Sequence, residues 1–330
     1  MQRLFEQDFC EKSANIEFPL SVEDKLFLNK VGGSVTKLNG HYQIALPWRQ
    51  ERVTLPNNRV VAERRLVYLK RKFERDAEFF AQYKDKINEL LRNGFARKVP
   101  SGWKPDRSKV WIIPHHACCP AGKFRVVFDC AARCGGVSLN DHLLQGPDLT
   151  NGLLGVLLLL LFRRGKIAFS ADIKAMYHQV RVDPKDWDAL TFLWWPNDDY
   201  TLPPADYQMM VHLFGAKSSP ACASYALRKV ADDNETHASQ ETLETVRDSF
   251  YVDDCLKSVD DVDVAIRLVK ELDLLLKSGG FHLSKYVSNC RSLLSEIFES
   301  DLSPTIVNLD FDRLHVNKTR SFLEYRERKL

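Results

Sequence analysis

The sequence has no uninterrupted apolar segment long enough to cross a membrane. Its strongest candidate, Leu153 to Phe162, covers ten positions, whereas a spanning helix needs roughly 20 residues. The start, Met1 to Glu6, also lacks the continuous apolar stretch of a secretory signal peptide. We therefore expect no membrane partner and interpret Leu153 to Phe162 as a buried helix.

The eight cysteines include no Cys-x-x-Cys pair, which is the spacing most typical of a zinc site. Adjacent residues in an extended chain point to opposite faces, and this disfavours a metal shared by the one cluster that invites a zinc interpretation: His115, His116, Cys118, Cys119, Cys130 and Cys134. Without a secretory signal, free thiols in a reducing compartment are favoured over a disulfide framework.

No strong charge of one sign, no internal repeat and no long low-complexity tract is present. The net charge is +3, but its distribution is uneven. Arg49 to Arg75 contains nine Lys or Arg and three Glu, whereas Asp232 to Asp273 contains thirteen acids and four bases. A basic segment near the N-terminus and an acidic segment later in the chain suit a protein that binds phosphates at one face and metals at another. The basic run is also compatible with a plain solvated helix surface.

The periodicity of apolar residues predicts an α+β chain. Two helices are expected in residues 60–93, broken near Asp76 and stopped at Gly94. Strands are expected at 110–113, 124–128, 166–172, 190–194 and 207–214, and helices at 150–163 and 219–230. A polar connection at 232–245 precedes a hairpin at 249–259, and a helix at 261–278 ends at Gly279-Gly280.

Two short acidic segments carry most of the functional signal. One is Phe250 to Leu256, with Asp253 and Asp254 between strand-like flanks, and the other is Phe169 to Tyr177, with Asp172. A carboxylate buried in such an apolar run is costly unless it is paired or binds a metal. Three carboxylates from two strands can hold two divalent cations, an arrangement that catalyses phosphoryl transfer.

Three other Asp-Asp pairs occur, at 198–199, 232–233 and 260–261. Each lies among polar or turn residues, where exposed aspartate is the ordinary case. The pair at 253–254 differs because it lies at the bend between two strand-like runs, as expected for a hairpin tip. A purely structural Asp-Asp turn is the competing interpretation, and the second acidic segment weakens it.

The wider phrases around these acids closely resemble the reverse transcriptase of BEL/Pao-type LTR retrotransposons. Tyr-Val-Asp-Asp at a hairpin tip is the signature of reverse transcriptases, and Asp172 followed by Tyr177 resembles their first palm motif. The similarity runs from about residue 1 to about residue 311. Its other phrases are GHYQIALPWR (40–49), LPNNRVVAERRLVYLKRKFERD (55–76), FRVVFDC (124–130), SLNDHLLQGPDLTNGLLGVLL (138–158), MYHQVRV (176–182) and VHLFGAKSSPACASYALRK (211–229).

The resemblance implies a right-hand polymerase fold of class α+β, with fingers and palm, in which the palm is an antiparallel sheet backed by helices. We expect an extended lead-in from an upstream polyprotein segment at 1–55, fingers at 56–149, the palm at 150–300 and a divergent tail at 301–330. The implied partners are an RNA template, a DNA or tRNA primer, dNTPs and other Pol segments. The implied location is a cytoplasmic virus-like particle, with the nucleus as a second possibility.

The resemblance also implies two Mg²⁺ ions, for which Mn²⁺ can substitute. Asp172 and Asp253 would bridge both ions, Asp254 would lie beside them, and the backbone carbonyl of Ile173 would face the second. One ion would lower the pKa of the primer 3′-hydroxyl and the other would neutralise the leaving pyrophosphate.

Further positions are implied around the nucleotide. Tyr177 would pack under the sugar and block a 2′-hydroxyl, a discrimination by clash, unless it is simply a core tyrosine. Arg125, and less directly Lys123, would bind the triphosphate. Phe214 and Gly215 would line the nucleotide pocket, beyond their structural place before a capped helix. Lys285 would be the general acid for pyrophosphate, or else a surface lysine. The candidate residues around the nucleotide are therefore Lys123, Arg125, Tyr177, Phe214, Gly215 and Lys285.

Two alternatives stay open. An RNA-dependent RNA polymerase would admit a 2′-hydroxyl and more often carries Gly-Asp-Asp, so Tyr177 and Tyr251-Val252 argue against it. A truncated retrotransposon copy would keep the fold and nucleic-acid affinity with little activity. The resemblance fades near Asp310, where relatives continue into a primer grip, thumb and RNase H domain, and the run Thr319 to Leu330 fits that continuation poorly. We therefore expect a chain without a thumb and of low processivity.

Overall fold

A computed structural model describes residues 20–119, 122–151 and 165–304. The described helices are α1 (Val22–Ser34), α2 (Arg59–Phe73), α3 (Ala77–Arg92), α4 (Leu139–His142), α5 (Ser219–Asp233), α6 (Gln240–Asp248), α7 (Val262–Ser278) and α8 (Arg291–Leu294). The strands are β1 (Thr36–Leu38), β2 (His41–Ile44), β3 (Ala96–Lys98), β4 (His115–Cys118), β5 (Arg125–Phe128), β6 (Ile167–Ile173), β7 (Arg181–Val182), β8 (Thr191–Trp194), β9 (Ala205–Met209), β10 (Phe250–Tyr251), β11 (Asp254–Val259) and β12 (Leu283–Ser288). This mixture confirms the expected α+β class.

One buried core lies under a four-stranded sheet of order β10-β11-β6-β12. All three pairings in this sheet are antiparallel. Helices α5, α6 and α7 pack against one another, and α7 packs against β11. The helices cover one face of the sheet, where most of its apolar side chains join them in this core.

Strand β6 shows how the sequence divides the two faces of this sheet. Its burial alternates strictly, with Ile167, Phe169, Ala171 and Ile173 buried. Asp172 points to the opposite face, and its side chain keeps 24% exposure. Asp172 is therefore only partly buried, because the alternation of the strand turns it away from the core.

Capping residues set the helix ends as predicted. The side chain of Asp261 accepts hydrogen bonds from the N–H groups of Asp263 (2.8 Å) and Val264 (3.2 Å), so α7 begins there. The helix ends at Gly279. At Gly280 φ is +83°, and a Cβ would lie 2.2 Å from the His41 ring, so only glycine fits this turn.

A second core packs α2 and α3 against β8 and the hairpin β4–β5. Phe73 lies at its centre, with ring centroids 5.3 Å from Tyr83 and 6.1 Å from Trp194. The predicted break between the helices is confirmed, because the Asp76 side chain accepts from the Phe79 N–H at 2.8 Å and starts α3. Strands β3, β9 and β8 form an antiparallel sheet in the same unit.

Part of the segment expected to be an extended lead-in is folded. Helix α1 and strands β1 and β2 occupy residues 22–44, and Phe27, Val31, Tyr42 and Ile44 join the first core. The extended conformation expected for 1–55 is therefore wrong over these residues, because their apolar side chains have a sheet and helices to pack against. The domain boundaries themselves stay predictions.

One buried carboxylate ties this N-terminal segment to the rest. Asp186, in a 3₁₀ turn at Pro184–Leu190, has no exposed surface. It accepts hydrogen bonds from the Leu46 N–H and the Trp48 Nε1–H, both at 2.9 Å, and Lys109 Nζ lies 3.6 Å away. Burial raises the pKa of Asp186, and these donors oppose the rise.

Three sequence predictions of local structure were wrong. Residues 111–113 are buried and Val110 is partly buried, but they form only one bridge, Ile112 to Thr191, while the strand lies at His115–Cys118. The strand expected at 207–214 stops at Met209. The expected polar connection at 232–245 contains helix α6, whose Leu243 and Val246 are buried.

Some predictions lie outside the described residues. The helix expected at 150–163 and the apolar run Leu153 to Phe162 fall largely or wholly within 152–164, and most of the tail falls within 305–330. None of the helices in the described ranges is both long and apolar enough to cross a membrane.

Candidate active site

Asp172 and Asp254 face each other across two neighbouring strands. In the antiparallel pairing of β6 with β11, Asp172 is the register partner of Asp254. Directly opposite side chains share one face of a sheet, with Cβ atoms about 5 Å apart. Two carboxylates so placed repel each other unless a cation lies near them. The pair of carboxylates therefore makes this end of the sheet a favourable place for a cation.

Asp253 lies at the tip of the β10–β11 hairpin. Tyr251 pairs with Asp254, which leaves Val252 and Asp253 as a two-residue loop. Val252 has a φ of +55°, a strained conformation for a β-branched residue. The Asp253 carbonyl accepts a hydrogen bond from the Ile173 N–H at 2.8 Å. This bond fixes the hairpin tip against the end of β6, next to Asp172.

Backbone strain collects around these acids. Three of the six described non-glycine residues with positive φ, namely Ala175, Val252 and Lys285, lie within three residues of one of these acids or of its partner in the sheet. Such a conformation costs roughly 1–3 kcal/mol and persists at functional sites, where the surrounding structure imposes it. The strain marks this end of the sheet independently of the sequence motif.

Lys285 lies on the other side of β6 and contacts Asp172 directly. Its Nζ is 2.9 Å from Asp172 Oδ2. The lysine side chain is 58% exposed and the aspartate side chain 24% exposed. The sequence placed Lys285 near the site without identifying this partner.

The donor chemistry of the three aspartates fits Mg²⁺. Carboxylate oxygens are the hard ligands that this ion prefers, and the backbone brings Asp172, Asp253 and Asp254 to one end of the sheet. Within the described residues, however, no group of three or more His, Cys, Asp or Glu side chains is already arranged to hold a metal ion. The Ile173 carbonyl and the metal roles of the three acids stay predictions.

Tyr177 lies in a 3₁₀ turn, Met176–Gln179, that follows β6. Its ring centroid is 4.5 Å from that of Phe214, at an interplanar angle of 37°. Burial raises the pKa of Tyr177, and the nearby Asp253 raises it further. Tyr177 is therefore an un-ionised phenol close to Asp253, and it supports a half-exposed Phe214.

Gly215 follows Phe214 at a position that only glycine can occupy. Its φ is +116°, and a Cβ there would lie 2.1 Å from the Phe128 carbonyl oxygen. Asn140 donates from Nδ2 to the Gly215 carbonyl at 2.9 Å and accepts from the Lys217 N–H at 3.0 Å. Asn140 thus fixes this loop, a role that sequence reasoning missed, although it lies between the capping residues Ser138 and Asp141.

Arg125 and Lys123 lie on the β4–β5 hairpin and both are exposed. Arg125 pairs with Cys118 at the start of β5. Three residues later, Phe128 meets Gly215, so Arg125 lies about 10 Å along the strand from that contact. The structure thus connects the hairpin with the Phe214–Gly215 loop, while a phosphate role for either cation stays a prediction.

His115 and His116 point to opposite sides of β4, the first buried and the second exposed. His115 Nε2 donates to the Leu193 carbonyl at 2.8 Å, and Nδ1 bonds the Tyr83 hydroxyl. Burial lowers the pKa of His115 to about 4, so this histidine is a neutral core residue. The described cysteines carry free thiols, and burial raises the pKa of the Cys130 thiol.

No protein-family model matches the sequence, and no curated protein matches it. Among solved structures, the chain is similar to a foamy viral protease-reverse transcriptase dRH in complex with double-stranded DNA. The identity is 18% and the TM-score 0.47, and the match covers 81% of this chain and 40% of that one. The chain thus spans about two fifths of that protein's length.

Proposed function

We propose that this chain is the fingers-and-palm core of an RNA-directed DNA polymerase of the BEL/Pao retrotransposon type, which adds dNTPs to a primer 3′-hydroxyl. The observation that carries the proposal is the pairing of Asp172 with Asp254 beside Asp253 at a strained hairpin tip. An ordinary Asp-Asp turn needs neither a third acid on the neighbouring strand nor a β-branched residue at positive φ.

The three acids would hold two Mg²⁺ ions, which when bound supply charge for activating the 3′-hydroxyl and for neutralising the leaving pyrophosphate. The protein itself fixes where the three carboxylates lie. The bond from the Ile173 N–H to the Asp253 carbonyl fixes the hairpin tip relative to β6, and cross-strand register fixes Asp254 opposite Asp172. A preorganised array of this kind lowers the barrier without reorganisation during the reaction.

Selection of the deoxyribose sugar would fall to Tyr177. The ring lies against Phe214 and close enough to Asp253 for that carboxylate to raise the pKa of Tyr177. A bulky ring held next to the acids leaves little room for a 2′-hydroxyl, which is the clash that favours DNA over RNA synthesis.

Nucleic-acid phosphates would be bound by the outer face of α2 and by Arg125. Arg64, Tyr68 and Arg71 follow one another at helical spacing on the face opposite the core, and the exposed Arg75 lies two residues beyond the helix end. Tyr68 is 66% exposed, and the Arg71 guanidinium lies 5.7 Å from its ring centroid. Exposed arginines with an aromatic side chain suit the phosphates and bases of a single strand. The template would be RNA, the primer DNA or tRNA, and other Pol segments would complete the duplex grip.

Primer extension by the full chain tests the proposal. The purified protein is given an RNA template, a DNA primer, and dNTPs or rNTPs with Mg²⁺ or Mn²⁺. The test variant is Asp253→Asn, and the matched control is Asp260→Asn, which removes an exposed carboxylate one residue beyond β11. We expect dNTP incorporation that is lost in Asp253→Asn and kept in Asp260→Asn.

Other results separate the alternatives. Preferential use of rNTPs would favour an RNA-dependent RNA polymerase. No incorporation by a folded chain that still binds primer–template would favour a truncated copy that has kept the fold and lost the activity. Equal incorporation by Asp253→Asn and the unaltered chain would contradict the metal role of the hairpin tip.

A further inference from the structure

Lys285 reaches Asp172 through a local irregularity in β12. In the antiparallel pairing with β6, Ser284 is opposite Asp172 and Val287 is opposite Ser170. Two residues of β12 therefore face one residue of β6, which is a β-bulge. A bulge re-aims a side chain, and such features are over-represented next to active sites.

Without the bulge, Lys285 would point away from Asp172. Ser284 shares the face of its partner Asp172, and the next residue of a regular strand points to the opposite face, where the core lies. Instead Lys285 adopts a φ of +55° and is exposed, while Tyr286 is buried. The strained backbone thus turns the ammonium out of the core and onto the acidic face.

We propose that the Lys285 ammonium is a built-in counter-cation, which holds the Asp172 carboxylate in the metal-free protein and must leave it before a divalent cation binds there. This inference rests on the proposed function, since it takes Asp172 as a metal ligand. Lys285 then sets the metal affinity of the site and restrains the metal-free acids, in addition to any part in catalysis.

Geometry makes the two occupants exclusive. Lys285 Nζ lies 2.9 Å from Asp172 Oδ2, whereas Mg²⁺ binds a carboxylate oxygen at about 2.0–2.1 Å. An ion on that oxygen would lie within a few ångströms of the ammonium. Like charges at that separation repel, so the lysine leaves as the metal enters. The lysine side chain is 58% exposed, so it has open solvent into which to move.

Metal binding in the absence of substrates tests this exchange. Binding of Mn²⁺ to the full, metal-free chain is followed by electron paramagnetic resonance. The test variant is Lys285→Met, which removes the charge and keeps the apolar stem. Lys285→Gly removes the charge and also relieves the positive φ, so it guards against a folding defect in the first variant. Lys285→Arg keeps a cation.

Lys277→Met is the matched control. Lys277 is an exposed lysine of α7 that pairs with Asp273 at 2.5 Å, so this change alters the net charge by the same amount away from the acids. We expect about fivefold tighter Mn²⁺ binding in Lys285→Met and Lys285→Gly. This ratio corresponds to about 1 kcal/mol, the contribution of a partly exposed ion pair that the metal no longer has to break. Lys285→Arg and Lys277→Met should bind as the unaltered chain does.

The outcomes are distinguishable. Mn²⁺ binding that is lost in Asp172→Asn but is no tighter in either charge-removing variant would overturn the counter-cation while leaving the metal site intact. Tighter binding in Lys277→Met of the same size would also overturn it, because the effect would be one of net charge. If no variant shows Asp172-dependent Mn²⁺ binding, the metal site of the proposed function fails and this inference fails with it.

Discussion

Replacing Gly215 by alanine should test how tightly the loop beside the candidate site is built. The residue has a φ of +116°, and the new Cβ would lie 2.1 Å from the Phe128 carbonyl oxygen and 3.3 Å from its carbonyl carbon. The obstructing atoms belong to the backbone of β5, so no side-chain rotation can relieve the overlap. Either the loop or the end of β5 must move.

The expected cost has two parts. An L-residue at positive φ costs roughly 1–2 kcal/mol, and overpacking against a fixed neighbour costs roughly 1–3 kcal/mol. We therefore expect Gly215→Ala to lower the free energy of unfolding by about 2–5 kcal/mol. The displaced Phe214 should also raise the KM for dNTP, since a shift of about 1 Å is enough to weaken catalysis substantially.

Two other glycines separate the parts of this cost. Gly102 has a φ of +85° and nothing within 4 Å of a new Cβ, so Gly102→Ala should show the backbone cost alone. Gly33 lies in α1 with open space around it and no positive φ, so Gly33→Ala should stabilise the protein by up to about 1 kcal/mol. Urea unfolding of the three variants measures each value. A loss in Gly215→Ala no larger than in Gly102→Ala would refute the close contact with Phe128.

Three further predictions concern buried groups and sugar selection. Asp186→Ala leaves two N–H donors without their acceptor and should cost roughly 2–5 kcal/mol in urea unfolding, whereas Asp186→Asn, which keeps an acceptor oxygen, should cost less. Burial lowers the pKa of His115 and of His212 to about 4 from an ordinary 6.5. The stability that these neutral rings contribute is therefore complete above pH 6.5 and is lost as the pH falls toward 4. The urea concentration at the unfolding midpoint should fall over that range, and it should fall less steeply in His212→Gln. Tyr177→Val should reduce the preference for dNTP over rNTP by roughly tenfold or more in primer extension, and an unchanged preference there, or a loss in Tyr177→Phe, would contradict a steric role.

The parts of the fold that the sequence predicted well have strong local chemistry. Asp76 and Asp261 start helices because a short carboxylate can accept from the first free N–H groups. The alternation of β6 and the strand-like flanks of Asp253-Asp254 placed both acidic segments in neighbouring strands, and the pairing of Asp172 with Asp254 confirms that they meet.

The parts that failed depend on partners distant in sequence. Helix α6 has few apolar side chains, and it folds because Leu243 and Val246 find a place against α5 and α7. Residues 110–113 have strand-like composition, but their distant backbone bonds are few: the Trp111 N–H bonds the Asp188 carbonyl in the 3₁₀ turn, and the Ile113 N–H bonds the Thr191 carbonyl at the start of β8. Asn140 fixes the Gly215 loop across more than seventy residues, and no local pattern indicates such a bond.

The candidate site departs from regular strand geometry at two of the positions that orient its charges. A regular two-residue hairpin would take glycine or asparagine at its first loop position, and this chain has Val252 at φ +55°. A regular β12 would send Lys285 toward the core, and this chain has a bulge there. The bulge places Tyr286 in the core, but each distortion leaves a strained residue whose own side chain is not buried, Val252 being partly exposed and Lys285 exposed. Local rules are expected to fail where function imposes the geometry, and here both failures lie beside the acids at the end of β6, one next to Asp253 and one at the Lys285 contact with Asp172. The regular alternation of strand side chains, which β6 keeps, therefore could not predict Lys285 on Asp172, because the contact exists only where β12 breaks that alternation.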